Sequence, residues 1–145
     1  MQHIHWLGTG LSSIPGIRRL AEKYENLTIW NRTLEKAEQS INHVNKHNVL
    51  AKKFDMQTLS NSVEAGDIVV SQLPADHHLF IAKLCLEKKC HFATSSYISP
   101  DMKNLDNDVK KNDLVFVNEV GLDPGIDHFF SHLLDKKLKD KSLSN

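Results

Sequence analysis

The chain has 145 residues, of which 40% are hydrophobic and 25% charged, ordinary globular values and enough for one domain with a sizeable core. Lys plus Arg is 18 and Asp plus Glu is 18, so the formal net charge is zero and the basic footprint of a nucleic-acid binder is missing. No apolar run approaches membrane-span length and the start carries no secretory signal, so the expectation is a cytoplasmic protein without membrane contact, with Cys85 and Cys90 as reduced packing thiols.

The first element is an apolar strand, Ile4-His5-Trp6-Leu7, followed by Gly8-Thr9-Gly10-Leu11-Ser12-Ser13 and a helix with Ile14, Ile17, Leu20, Ala21 and Tyr24 on one face. A dinucleotide fingerprint needs one glycine for the tight turn, a second so that the backbone can approach a pyrophosphate, and a third for close helix–strand packing. Gly8 and Gly10 fit the first two roles, and Ser13 stands in the third with one extra hydroxymethyl group. Leu11 and Ser12 open the helix, whose free N–H groups suit a phosphate; Pro15 in the first turn costs little there. The competing reading is a plain glycine turn between strand and helix. His3 and His5 share one strand face but have no metal-ligand spacing, and no metal site is expected.

The second strand, 27–30, ends at Asn31-Arg32-Thr33, near the offset at which the ribose is read. An acid there would favour NAD. Asn31 is uncharged, Arg32 can hold a 2′-phosphate in fork geometry and stack on adenine, and Thr33 offers a hydroxyl that can also cap the next helix. These residues predict NADP(H); otherwise they are a helix start with a solvated arginine.

A helix over 33–44, a strand over 49–54 and a polar helix over 57–64 follow. The buried strand 67–70 ends at Ser71-Gln72-Leu73-Pro74. Ser71, Gln72, Leu73 and Pro74 would line the channel from adenosine to nicotinamide, although Leu73 and Pro74 can also serve only packing. Then come a helix begun by His77-His78, a strand over 91–94, the loop 95–100, a polar helix to 112, and a strand over 114–117. This alternation predicts an α/β fold with a doubly wound parallel sheet of the Rossmann type, strand order 3-2-1-4-5-6.

The segment 118–128 places Glu119, Asp123, Asp127 and His128 where a buried strand should end, the position at which open α/β sheets bind ligands. Asp123-Pro124-Gly125 is also a good turn former. A last helix is predicted over 126–138, with Ile126, Phe129, Phe130, Leu133 and Leu134 at helical spacing, before a charged run over 136–142 that reads as a solvated, fraying end.

Gly8-Thr9-Gly10, Asn31-Arg32-Thr33-Leu34-Glu35-Lys36-Ala37, Ser95-Ser96-Tyr97-Ile98-Ser99-Pro100 and above all Asn118-Glu119-Val120-Gly121-Leu122-Asp123-Pro124-Gly125-Ile126-Asp127-His128 resemble the N-terminal part of the saccharopine dehydrogenase family, over essentially the whole chain. Within it the match is to the glutamate-forming, NADP-dependent branch; the Asn-Arg-Thr element also recurs in other NADP-dependent families such as shikimate dehydrogenase. The resemblance implies an oxidoreductase of lysine metabolism that passes hydride between nicotinamide and the imine of an amino-acid substrate. It implies Asp123 as a substrate-amine contact and proton-transfer group, and Tyr97 as a substrate- or nicotinamide-side residue, against a half-buried loop tyrosine. Asp127 and His128 read as helix caps rather than chemistry.

Family members are longer, so residues 1–124 are expected to form the NADP-binding domain and 125–145 a first helix leading toward a substrate domain that is absent. Arg18, Arg19 and Arg32 are the only arginines, which places the carboxylate clamp of the substrate in that domain. The candidate partners are a complementary substrate domain or a second copy of the chain. Two other functions fit the same residues: a nucleotide-binding module without catalysis, and a related NADP-dependent reductase of another amino-acid or polyamine imine.

Overall fold

The computed structural model describes residues 2–142. Short apolar runs bounded by turn residues form six strands: β1 (Ile4–Leu7), β2 (Leu27–Asn31), β3 (Val49–Lys53), β4 (Ile68–Ser71), β5 (His91–Thr94) and β6 (Phe116–Val117). All pair in parallel, in the order β3-β2-β1-β4-β5-β6. The register aligns Leu7 with Trp30 and Ser71, and Ser71 with Thr94. The carboxyl ends of the central strands therefore stop level, and the loops that leave them share one edge.

Side chains alternate across the sheet, and this alternation splits the core in two. Leu7, Trp30 and Val69 face one way and pack with Leu59, Ile81 and Phe92. Leu27 and Ile29 face the other way, against Ile17 and Ala21 of α1 (Ile14–Lys23) and Ala37 of α2 (Leu34–Ile41). Helices α3 (Met56–Ser60) and α4 (Ala75–Lys88) supply Leu59 and Ile81 to the first side. This is the doubly wound arrangement expected from the sequence.

Several local expectations need correction. The strand expected over 114–117 is two residues long and is not buried: Val115 is 57% exposed and Val117 36%. Only Phe116 and Val117 pair with β5, because the Leu114 N–H turns back to the Val109 carbonyl and the Val115 N–H donates to His91 Nδ1. As the outermost strand, β6 has no neighbour on its other side. The polar helix expected up to 112 is two short ones, α5 (Pro100–Lys103) and α6 (Asp106–Lys111), the first capped by Ser99 Oγ accepting from the Met102 N–H. Helix α2 stops at Ile41 rather than 44 and α3 at Ser60 rather than 64. The last helix, α7 (Ile126–Ser142), runs through the charged segment expected to fray, where Lys139 pairs with Asp135 one turn back at 2.8 Å. Residues 143–145 of that expectation lie outside the described residues.

Candidate functional site

The loop after β1 is shaped by two glycines with different reasons to be glycine. Gly8 has φ +101°, and a Cβ there would lie 2.7 Å from the Gln72 carbonyl oxygen, so the turn needs its freedom to clear β4. Gly10 is in ordinary extended backbone, and nothing lies within 4 Å of the Cβ it lacks. The protein itself does not use that space, so the open cradle fits a pyrophosphate lying against the backbone. A short 3-10 turn, Leu11–Ser13, then leads into α1, and no side chain caps either helix start, which leaves N–H dipoles for an anion. Leu11 is 95% exposed and Ser12 is also at the surface, whereas Ser13 is buried. Gly16 also lies close to β1, where an added Cβ would rest 3.4 Å from the Trp6 ring.

Asn31 ties the second loop to the first. Its Nδ2 donates to Thr9 Oγ1 at 2.5 Å, and its Oδ1 accepts from the Thr33 N–H at 2.9 Å. Thr33 occupies the cap position of α2 but its hydroxyl makes no capping bond; the Lys36 N–H bonds to the Thr33 backbone carbonyl instead. Arg32 and Thr33 are exposed, in the loop that Asn31 ties to the glycine turn.

Across the sheet, the loops after β4, β5 and β6 close on each other. Ser95 Oγ donates to Gln72 Oε1 at 2.9 Å. Leu73 leans on the core and Pro74 begins α4 at the surface. The Tyr97 hydroxyl donates to Asp123 Oδ1 at 2.8 Å, so two residues far apart in the chain meet above the strand ends. Tyr97 is 62% exposed, which corrects the half-buried alternative. Its phenol is held above the ordinary tyrosine range, first because the Asp123 carboxylate accepts its proton in a hydrogen bond, and further because nearby acids oppose a phenolate. His128 meets the Tyr97 ring edge-on at 6.3 Å between centroids. Asp127 Oδ1 accepts from the Gly125 N–H and closes the turn into α7.

A cleft of about 350 Å³ joins the two halves, lined among others by Ser12, Ser13, Gln72, Ser95 and Asp123. The start of α1, just after the glycine turn, and the Asp123 loop therefore open on one space. Sequence reasoning placed Glu119 at the strand end without a role and gave none to His78. Glu119, at φ +61°, accepts from the Ile98 N–H at 3.1 Å and holds the β5 loop against the β6 loop. His78, read only as part of a helix start, is buried under the strand ends among three hydroxyls. A histidine one turn into a helix, after strands ending in Ser and Thr, was the available signal. Among the described residues no group of His, Cys, Asp and Glu could hold a metal, and no helix is long and apolar enough to cross a membrane.

A family model described as the saccharopine dehydrogenase NADP binding domain matches residues 4–117. The chain is 33% identical over 133 residues to saccharopine dehydrogenase (NADP(+), L-glutamate-forming) of Schizosaccharomyces pombe, a match covering 90% of the chain and 30% of that protein. It is 36% identical over 107 residues to the mitochondrial alpha-aminoadipic semialdehyde synthase of Rattus norvegicus, over 66% of the chain and 12% of that protein. The solved structure of apo histidine-tagged saccharopine dehydrogenase (L-Glu forming) from Saccharomyces cerevisiae superposes with a TM-score of 0.76 at 29% identity, over 94% of the chain and 31% of that structure. The chain thus spans less than a third of the length of each of these relatives.

Proposed function

This chain belongs to the saccharopine dehydrogenase family, through its NADP-binding domain, and from that premise we propose that it serves hydride transfer between NADP(H) and an amino-acid imine, in the saccharopine step of lysine metabolism. The observation that carries the reading is the Tyr97–Asp123 hydrogen bond, set beside a cleft that the start of α1 also lines.

The hydride chemistry is the cofactor's when it is bound. Gly8 and Gly10 let the backbone approach the pyrophosphate, with Leu11 and Ser12 supplying the helix start. Asn31 fixes the loop, while Arg32 and Thr33 take the 2′-phosphate. Gln72, Leu73 and Pro74 line the path toward the nicotinamide. Asp123, as a carboxylate, holds a substrate ammonium or iminium by charge-assisted hydrogen bonding. Tyr97, kept protonated, donates to Asp123 and is in place to pass a proton at the substrate nitrogen. Residues 1–124 form the cofactor-binding unit in this reading, and α7 begins the route toward a complementary substrate domain.

A calorimetric titration of the chain with NADPH and, separately, NADH tests it. Micromolar NADPH binding, with NADH weaker by about tenfold or more, is expected. No binding of either, or equal binding of both, would end the cofactor assignment for Arg32.

A further inference from the structure

His78 is the one buried histidine under the strand ends, and its ring reaches three different segments. Its Nδ1 lies 2.9 Å from Ser71 Oγ at the end of β4. Its Nε2 lies 2.8 Å from Ser96 Oγ in the loop after β5 and 3.2 Å from Thr94 Oγ1 at the end of β5. Ser71 and Thr94 are fully buried, so without the ring their hydroxyls would lose a partner where water does not reach, a costly position for a polar group. Burial favours the neutral ring, which offers one donor and one acceptor. The hydroxyls can rotate to complement either tautomer.

These contacts fall on one side of the cleft only. The residue after Ser71 is Gln72, and the residue after Ser96 is Tyr97. Above the ring, Ser95 Oγ donates to Gln72 Oε1, and Tyr97 donates to Asp123. The glycine turn and Asn31 are held by separate bonds, Asn31 to Thr9 and Gly8 N–H to the Trp30 carbonyl. A dinucleotide lies across both halves of such a sheet, so the two halves of the cofactor meet independently supported walls.

We propose that His78 is a positioning residue that clamps the β4 and β5 loops together and so sets the wall against which the nicotinamide half of NADP(H) rests, leaving the adenosine half untouched. This rests on the cofactor reading above. The test is calorimetric binding of two ligands, NADPH and adenosine 2′,5′-bisphosphate, to the wild-type chain and to two variants. His78→Leu removes the clamp. Ser96→Ala removes only its bond to the exposed-side loop and keeps the buried hydroxyls paired, so it folds even if His78→Leu does not.

The expected result is NADPH affinity lower by about tenfold in His78→Leu and by a smaller factor in Ser96→Ala, with the bisphosphate within about twofold of wild type in both. A merely structural role would weaken both ligands in parallel, and that result would overturn the proposal. So would unchanged NADPH affinity in Ser96→Ala. Failure of wild type to bind either ligand would instead overturn the cofactor reading, and the clamp with it.

Discussion

In the function proposed, the cofactor preference rests on one exposed residue, Arg32, in the loop after β2. A charge-assisted contact contributes roughly 1.5–3 kcal/mol, so Arg32→Ala is expected to weaken NADPH by about 10- to 100-fold and to leave NADH within about twofold. Parallel loss of both cofactors in the titration would exclude a role for Arg32 at the 2′-phosphate. A second residue-scale expectation concerns His5, at the other end of the strands from the cleft. Trp30 Nε1 donates to His5 Nδ1, so the ring proton sits on Nε2, facing Asp67 Oδ2 at 3.3 Å. Burial, and then repulsion from a charged His3, brings the His5 pKa down to about 4, against 6.5 for an ordinary histidine. The unfolded chain therefore binds this proton from about pH 6.5 downward while the folded chain resists it until about pH 4. Stability is full above that window and falls as pH drops through it, by at most about 3 kcal/mol. His3 and His78 shift in the same direction, so the comparison is a difference: urea denaturation against pH should be flatter in His5→Gln than in wild type between pH 6.5 and 5. Identical slopes would remove His5 from the account.

At the scale of elements, the turn after β1 separates folding from binding. Gly8→Ala forces a Cβ into a positive-φ turn against the Gln72 carbonyl and should cost about 1–3 kcal/mol of stability. Gly10→Ala meets no protein atom; stability should change by no more than about 0.5 kcal/mol, while NADPH affinity falls by about tenfold or more. Thermal melts and titrations of the two variants should move in opposite columns, and a Gly10→Ala chain that binds normally would empty the cradle of meaning. The same contrast explains what sequence can show. Strands β1, β2, β4 and β5 were legible because each is an apolar run covered on both faces, and the glycine loop because its spacing is local. The length of β6 was not, since it depends on which of its N–H groups β5 and His91 capture. That Thr33 fills the cap position of α2 without a capping bond was not legible either, since the Lys36 N–H goes to its backbone carbonyl. The roles of Tyr97 and Asp123 were suggested by resemblance but their hydrogen bond was not, nor was the cluster around His78, because its partners come from three places that become neighbours only once the sheet has formed.

At the scale of the molecule, the two halves of the site differ in completeness. In the function proposed, the adenosine side has its cation, Arg32, and its open backbone at Gly10. The cleft at Asp123 has a carboxylate, hydroxyls and an amide, but no lysine or arginine lines it; Arg18 and Arg19 lie exposed on α1. An amino-acid conjugate bearing several carboxylates needs cationic partners to be held near its reacting carbon, and positioning of that kind contributes roughly 7–11 kcal/mol of the barrier reduction. Beside the same cleft, Leu122 and the apolar residues Ile126, Phe129 and Phe130 of α7 are exposed together, the kind of surface that marks a contact with another polypeptide. A domain seated there would flank the Asp123 loop and could bring the missing cations to it. The chain by itself should therefore bind NADPH yet oxidise saccharopine with NADP(+) at no more than a trace rate, read as initial absorbance change from NADPH formation. Adding a complementary substrate domain should raise that rate and bring it under the control of Asp123, so that Asp123→Asn abolishes the gain without altering NADPH affinity. A rate from the chain alone that is ordinary for an enzyme would mean that the carboxylates are held without cations in the cleft, and the division of labour between the two sides would be wrong.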